Sequence, residues 1–346
     1  MEVVQTMGLL DWFINRPAQF DPDALSDEVV AKAIDKAITL TNPRLKLVDG
    51  YQERLRGPVK QCVDYLRRAL TDLPAEIEVS VANWSSEPVL HAFFARPEEL
   101  SSALGHSRNL RTFFGKYPEL DQACIVLGMT YNERHTRGLS LRGDDVRLDP
   151  TQTVIDFSVP RVRICGHTDQ EVRRLLGTQS FEYLVAQAMT EISEVRSERQ
   201  ELEDSRNLIR ARLRLLQQQG PGLGSVFGDA PDSPEQLKLE SRLLENERQL
   251  EELGGSQEAL ESELDALCKV LENSQSYLTF ERRRLRLNTL NVVVDESSTD
   301  VASDVEFTMA VLSGTPKVRR AFVIGRMKRS ELPALKLDIA NAERFL

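Results

Sequence analysis

Two stretches of this chain repeat apolar residues every three and four positions, and a Gly/Pro-rich loop lies between them. The first runs Phe181, Val185, Ala188, Ile192, Val195, Arg199, Leu202, Arg206, Ile209, Leu213, Leu216. The second runs Leu239, Leu243, Asn246, Leu250, Leu253, Gln257, Leu260, Leu264, Leu267, Leu271, Ser274, Leu278. A period of about 3.5 keeps one seam of a helix turned toward a partner helix. The loop at 217–234 contains GPGLG and DAPDSP, which no helix crosses. The pattern therefore predicts a long antiparallel coiled-coil hairpin over 168–286. If the chain reverses at that loop, facing seam residues have numbers of constant sum. They do: 216 with 239, 213 with 243, 209 with 246, 202 with 253 and 188 with 267 all add to 455 or 456. In this register Arg199 meets Gln257 as a polar layer. Arg206, Arg210, Arg212 and Arg214 oppose Glu240, Glu245, Glu247, Glu251 and Glu252, the arrangement of charges that sets partner and orientation.

The flanks read differently. Residues 1–75 form a helical N-terminal region. Leu25–Glu28 offers a cap for a helix bearing Val30, Ile34, Ala37 and Leu40. A second pattern, from Val48 to Leu73, is interrupted by Gly57–Pro58, which implies a kink or a fresh start. Residues 76–166 are mixed. Glu76–Val81 alternates as a half-buried strand, and short helices fit Pro88–Phe94, Pro97–Leu104 and Asn109–Lys116. Ala123–Tyr131 is a buried strand, expected to pair with Thr136–Leu141 through a turn at Asn132–His135. Thr153–Phe157 and Arg161–Cys165 are strands with Pro160 marking a bend. Residues 288–346 supply strands at Leu290–Val294, Val305–Leu312 and Arg320–Gly325, with a terminal helix over Glu331–Arg344. Three strands alone bury too little apolar surface to be stable, so strands on both sides of the hairpin are expected to join in one antiparallel sheet. The fold class is α+β, with the hairpin inserted into it.

Composition narrows the functional classes. The chain carries 44 Lys and Arg against 54 Asp and Glu, a net charge of −10. That argues against a protein whose main task is coating nucleic acid. No stretch offers the ~18 uninterrupted apolar residues of a membrane span. The first residues lack the basic and apolar regions of a secretory signal. Cys62, Cys124, Cys165 and Cys268 are far apart and suit free thiols in a reducing cytoplasm. No GxxxxGK[ST] occurs, and His91, His106, His135 and His167 share no ligand spacing, so no cofactor or metal is expected.

Two groups stand out chemically. Cys165 and His167 precede a capping box at Thr168–Glu171, where a helix dipole would acidify a thiol; the bland alternative is a buried strand-end cysteine beside a surface histidine. Arg282, Arg283, Arg284 and Arg286 form the densest basic run, expected at the end of the second arm. They are a candidate interaction site for phosphate, nucleotide or an acidic partner; the alternative is a solvated helix end. The leading functional expectation is a cytoplasmic scaffold or adaptor that binds a protein partner through the arm, with homo-oligomerisation left open. The runner-up is a nucleic-acid- or nucleotide-associated factor using Arg282–Arg286, and the third is an enzyme with a cleft near Cys165 and His167.

Overall fold

The computed structural model describes residues 27–142, 145–218, 234–252, 256–294, 301–314 and 317–333. The chain divides into two compact units. One contains Val63–Phe181 together with the chain from Ser274 onward; the other contains Leu25–Cys62 and Glu182–Asn273. The expected terminal helix beyond Pro333, Trp12 and the tip loop over 219–233 lie outside the described residues.

The first unit is built on strand alternation. Its helices are α3 (Pro88–Phe93), α4 (Pro97–Gly105) and α5 (Arg108–Lys116), close to their expected spans. Its strands are β1 (Ile77–Glu78), β2 (Gln122–Arg142), β3 (Asp145–Gly166), β4 (Leu278–Leu287), β5 (Ser303–Leu312) and β6 (Val318–Lys328). Strands from before and after the hairpin join in one sheet of order β3-β2-β6-β5-β4, with β1 parallel to β6. Because side chains alternate across a strand, each strand feeds two cores. Ile125, Leu127, Met129, Phe307, Met309 and Val323 join one with Leu90, Phe93 and Leu110 from the short helices. Cys124, Val126, Ile164, Phe322 and Ile324 join the other with Leu70, Leu73 and Val172.

Three expectations about the strands are corrected. The turn at Asn132–His135 is absent: β2 runs straight through it, each residue paired on β3 from Asn132↔Asp156 to His135↔Thr153. A continuous ladder partner outweighs the weak turn preference of an Asn. The second arm does not continue to Leu285. Its last helical turn, α9 (Ser274–Tyr277), gives way to β4 at Leu278. Leu278 and Leu285 satisfy a helical seven-residue spacing, but Leu285 and Leu287 also satisfy the strand period, and both pack in the first core. As a strand, the arginine run faces the carboxylates of β5, which a helix end could not arrange. Glu76–Val81 retains only the two paired residues of β1.

The edges of the sheet meet. Val293 N–H donates to Thr153 O (2.8 Å) on β3, and Val294 N–H donates to Arg286 O (2.9 Å) on β4. Ile155 N–H donates to Asn291 O (2.9 Å). The segment Asn291–Val294 thus bridges both edge strands and closes the sheet into a ring at that end, which covers edges that would otherwise be open to other chains. Asn291 makes the entry with φ 57°, a left-handed conformation Asn tolerates. Its side-chain amide donates to Ala92 O (2.8 Å).

The second unit is helical. The helix α6 (Asp169–Gln218) spans 50 residues and begins at Thr168, whose hydroxyl accepts from Glu171 N–H (3.2 Å). Its partner is α7 (Pro234–Glu252) followed by α8 (Ser256–Glu272). Arg210 pairs with Glu247 and Arg196 with Glu263, both at 2.6 Å, so the helices run antiparallel near the expected register. Seam residues Val185, Ala188, Ile192, Leu213, Leu239, Leu250, Leu264 and Leu267 are buried.

The N-terminal region expected over 1–75 is helical where described, as α1 (Asp27–Leu40) and α2 (Tyr51–Thr71), and its residues through Cys62 belong to this helical unit. Glu263 is the junction. It is 8% exposed, receives two hydrogen bonds from Arg196 and a third from Asn42 Nδ2 (2.7 Å). Lys36 pairs with Glu182, and Arg54 with Asp265. Pro58 lies inside α2 without ending it. A proline there cannot bond to the carbonyl four residues back. That carbonyl, on Arg54, accepts instead from the Cys268 thiol of α8 (3.8 Å).

Candidate functional site

The Arg282–Arg286 run is the sequence's main candidate, and the structure neutralises most of it. On β4, even-numbered residues share one face with the even-numbered residues of β5. Arg282 donates to Glu306, and Arg284 donates to Asp304 at 2.7 Å. Arg283, on the opposite face, pairs with Glu281 at 2.5 Å. Arg286 has no ion pair among the described residues. A cavity of about 430 Å³ beside Arg282 is acidic in character, with Glu76, Glu87, Asp304 and Glu306 in its wall. Burial pushes the Glu87 carboxyl above its ordinary range. This surface has little free positive charge to offer a polyanion.

Cys165 and His167 are not brought together. Cys165 packs against the first core, and burial pushes its thiol up to about 12. Desolvation of the thiolate outweighs the dipole of the following helix, the reverse of what the sequence suggested. The His167 ring contacts Tyr117 and Phe113, with centroids 4.5 and 5.3 Å away, and its Nδ1 lies 2.8 Å from Glu171. Cys124 is also raised to about 12, chiefly by burial and then by its hydrogen bond to Glu76. Among the described residues, no group of three His, Cys, Asp or Glu side chains could hold a metal. Arg199 bonds Glu203 one turn along its own helix (3.1 Å), and the Gln257 side chain of the expected polar layer lies outside what is described.

Sequence reading missed a cleft of about 1030 Å³ between α4, the start of α5 and the middle of β3. Its floor is apolar, with Phe93, Met129 and Phe157. Its polar wall contains Arg96, Arg108, Arg161, Arg163, Glu98 and Glu99. Glu99 is committed: it sits 4.0 Å from Arg96 and accepts from Ala95 N–H. Arg108, Arg161 and Arg163 are exposed and have no ion-pair partner among the described residues. The β3 wall is irregular, because the ladder to β2 shifts register between Val126 and Leu127 and again between Gly128 and Thr130. At the bend foreseen at Pro160, Val159 has φ 51° and is 53% exposed. A β-branched residue there is strained by about 1–3 kcal/mol. Ser107 caps α5 by accepting from Leu110 N–H, and Asn109 Nδ2 donates to Val162 O (3.2 Å) and Arg163 O (2.8 Å), so α5 is tied directly to the bulged strand. His106 Nδ1 lies 2.7 Å from Ser102 O. A carbonyl only accepts, so Nδ1 carries the proton, and the second ring nitrogen is not engaged by that bond. The only sequence signals for this site were Pro160 and the alternation Arg161-Val162-Arg163.

The helical unit shows a second surface feature. Leu208, Leu237 and Leu244 lie off the seam and are 72%, 54% and 73% exposed. Leu237 and Leu244 are one heptad apart on α7 and share a face. No helix among the described residues is long and apolar enough to cross a membrane. No protein-family model matches the chain, no curated protein is significantly similar to it, and no solved structure matches it.

Proposed function

We propose that this protein is a cytoplasmic scaffold or adaptor that holds a protein partner through its helical hairpin, with coiled-coil packing along the seam. The observation that carries this reading is the set of exposed leucines outside the seam. Seam leucines such as Leu213, Leu239, Leu250, Leu264 and Leu267 are buried, whereas Leu208, Leu237 and Leu244 are exposed off the seam and surplus to the hairpin's own packing. Leucine side chains spaced seven apart on a long helix suit a partner helix, which would bury them at the same spacing. The four cysteines are free thiols, consistent with a reducing compartment. The nucleic-acid reading at Arg282–Arg286 loses support because Arg282, Arg283 and Arg284 are ion-paired, and the enzyme reading at Cys165 loses support because that thiol packs, partly buried, against the core, which raises rather than lowers its pKa.

The test is photo-crosslinking from the full chain. A photoreactive residue placed at Leu208 or Leu244 is expected to form an adduct with another polypeptide, and the same residue at Arg284 is not. Leu237→Lys with Leu244→Lys should abolish the adduct from position 208 while leaving the melting temperature unchanged. Adducts confined to the same chain would sink the proposal.

A further inference from the structure

We infer that the cleft between α4, α5 and β3 is a binding site for a small organic anion, a carboxylate or phosphate ester carried on an apolar or aromatic body. Three features of the cleft converge on it. The cavity, about 1030 Å³, is at the upper end of the ~300–1,000 Å³ typical of ligand pockets. Its floor, with Phe93, Met129 and Phe157, offers aromatic and thioether surface to an apolar group. Its wall brings Arg108, Arg161 and Arg163 together from two elements far apart in sequence, with no carboxylate bonded to any of them among the described residues. Guanidinium groups suit carboxylate and phosphate because their donors match two oxygens at once.

The opposing charges are few. Glu99 is held by Arg96 and the Ala95 amide, which leaves Glu98 as the one unengaged carboxylate in the wall among the described residues. On a chain of net charge −10, three arginines around one cavity with no ion pair among the described residues form a local reversal of sign. The backbone at the site is held fast: Asn109 and Ser107 both reach carbonyls of Val162 or Arg163, and Val159 is kept in a left-handed conformation beside Pro160. Strain retained at the rim of a cavity is a recurrent mark of ligand sites. The second ring nitrogen of His106, not engaged by the bond to Ser102 O, adds a further polar contact point.

The experiment uses the full chain and 8-anilinonaphthalene-1-sulfonate, an oxyanion on an aromatic body, with uncharged N-phenyl-1-naphthylamine as its control. The sulfonate is expected to bind with one saturable site. Arg161→Ser with Arg163→Ser should weaken it at least about tenfold, whereas Arg282→Ser with Arg284→Ser should not change it. The uncharged control should be insensitive to both. In the wild-type chain, titration should shift the Met129 methyl and His106 ring NMR signals and leave the Met327 methyl in place, which tests the site without any substitution. Equal affinity in the Arg161/Arg163 variant, equal binding of the uncharged control, or shifts at Met327 without Met129 would each overturn the inference. So would an acidic peptide that binds through Arg161 and Arg163 where the sulfonate does not, since that would make the cleft a peptide-docking surface.

Discussion

The molecule has two arginine groupings that differ in opposite ways in sequence and in space. Arg282, Arg283, Arg284 and Arg286 are nearly contiguous, and in the fold three of them are matched by Glu306, Glu281 and Asp304. Arg108, Arg161 and Arg163 are scattered over more than fifty residues, and in the fold they line one cavity with no carboxylate bonded to them among the described residues. The dense run lies on a regular ladder, whose strict alternation places the β5 carboxylates Glu306 and Asp304 one register step from Arg282 and Arg284, while Arg283 on the other face pairs with Glu281 of its own strand. In the scattered set, Arg161 and Arg163 lie on a bulged strand, where register shifts break that alternation, and Arg108 opens the helix α5 tied to it. Local charge density is therefore a poor guide to free charge; the neighbouring strand decides it.

The comparison breaks most visibly if the β5 carboxylates are removed. Asp304→Asn with Glu306→Gln should unmask the β4 arginines and create affinity for single-stranded DNA that the wild type lacks. With about two phosphate contacts, that affinity should fall roughly tenfold between about 50 and 200 mM salt. Binding by the wild type, or none by the variant, would show that pairing does not silence this surface.

A smaller effect separates the two backbones. Val159→Gly should stabilise the protein by about 1 kcal/mol, because glycine adopts a positive φ without the Cβ clash. Denaturant unfolding would measure it, and an unchanged or lower midpoint would mean that the Val159 conformation is not strained. The smallest effects concern single arginines. Arg284→Ser should lower stability by ~0.2–1 kcal/mol through the loss of an exposed pair, while Arg161→Ser should change it by less than ~0.5 kcal/mol because no bonded partner is lost. A larger cost at Arg161 than at Arg284 would contradict the assignment of which grouping is paired.

Cys165 follows the same logic as the arginines. In sequence it sits beside a histidine and a helix start; in space its thiol faces the core and His167 faces Glu171 and two aromatic rings. The sequence neighbours pointed to activation, and the tertiary neighbours supply desolvation, which is the larger influence on a thiol.

What the sequence determined by itself is whatever depends on short-range periodicity. The 3-and-4 repeat from Phe181 to Leu216 produced α6 and its antiparallel partner, the proline-led segments produced α3 and α4, and the alternation around Val305 and Arg320 produced β5 and β6. These are decided by which residues share a face within a few turns or pleats. Only the tertiary structure decided that Leu278–Leu287 is a strand, since the 278/285 spacing suits a helix, the 285/287 spacing suits a strand, and the choice came from the ten-residue ladder to β5. It alone decided that β2 runs through Asn132–His135, that Asn291–Val294 closes the sheet, and that the N-terminal helices join the hairpin around Glu263. It alone assembled the cleft as well. Each of these depends on partners dozens to hundreds of residues away, and a local pattern carries no record of the distance to them.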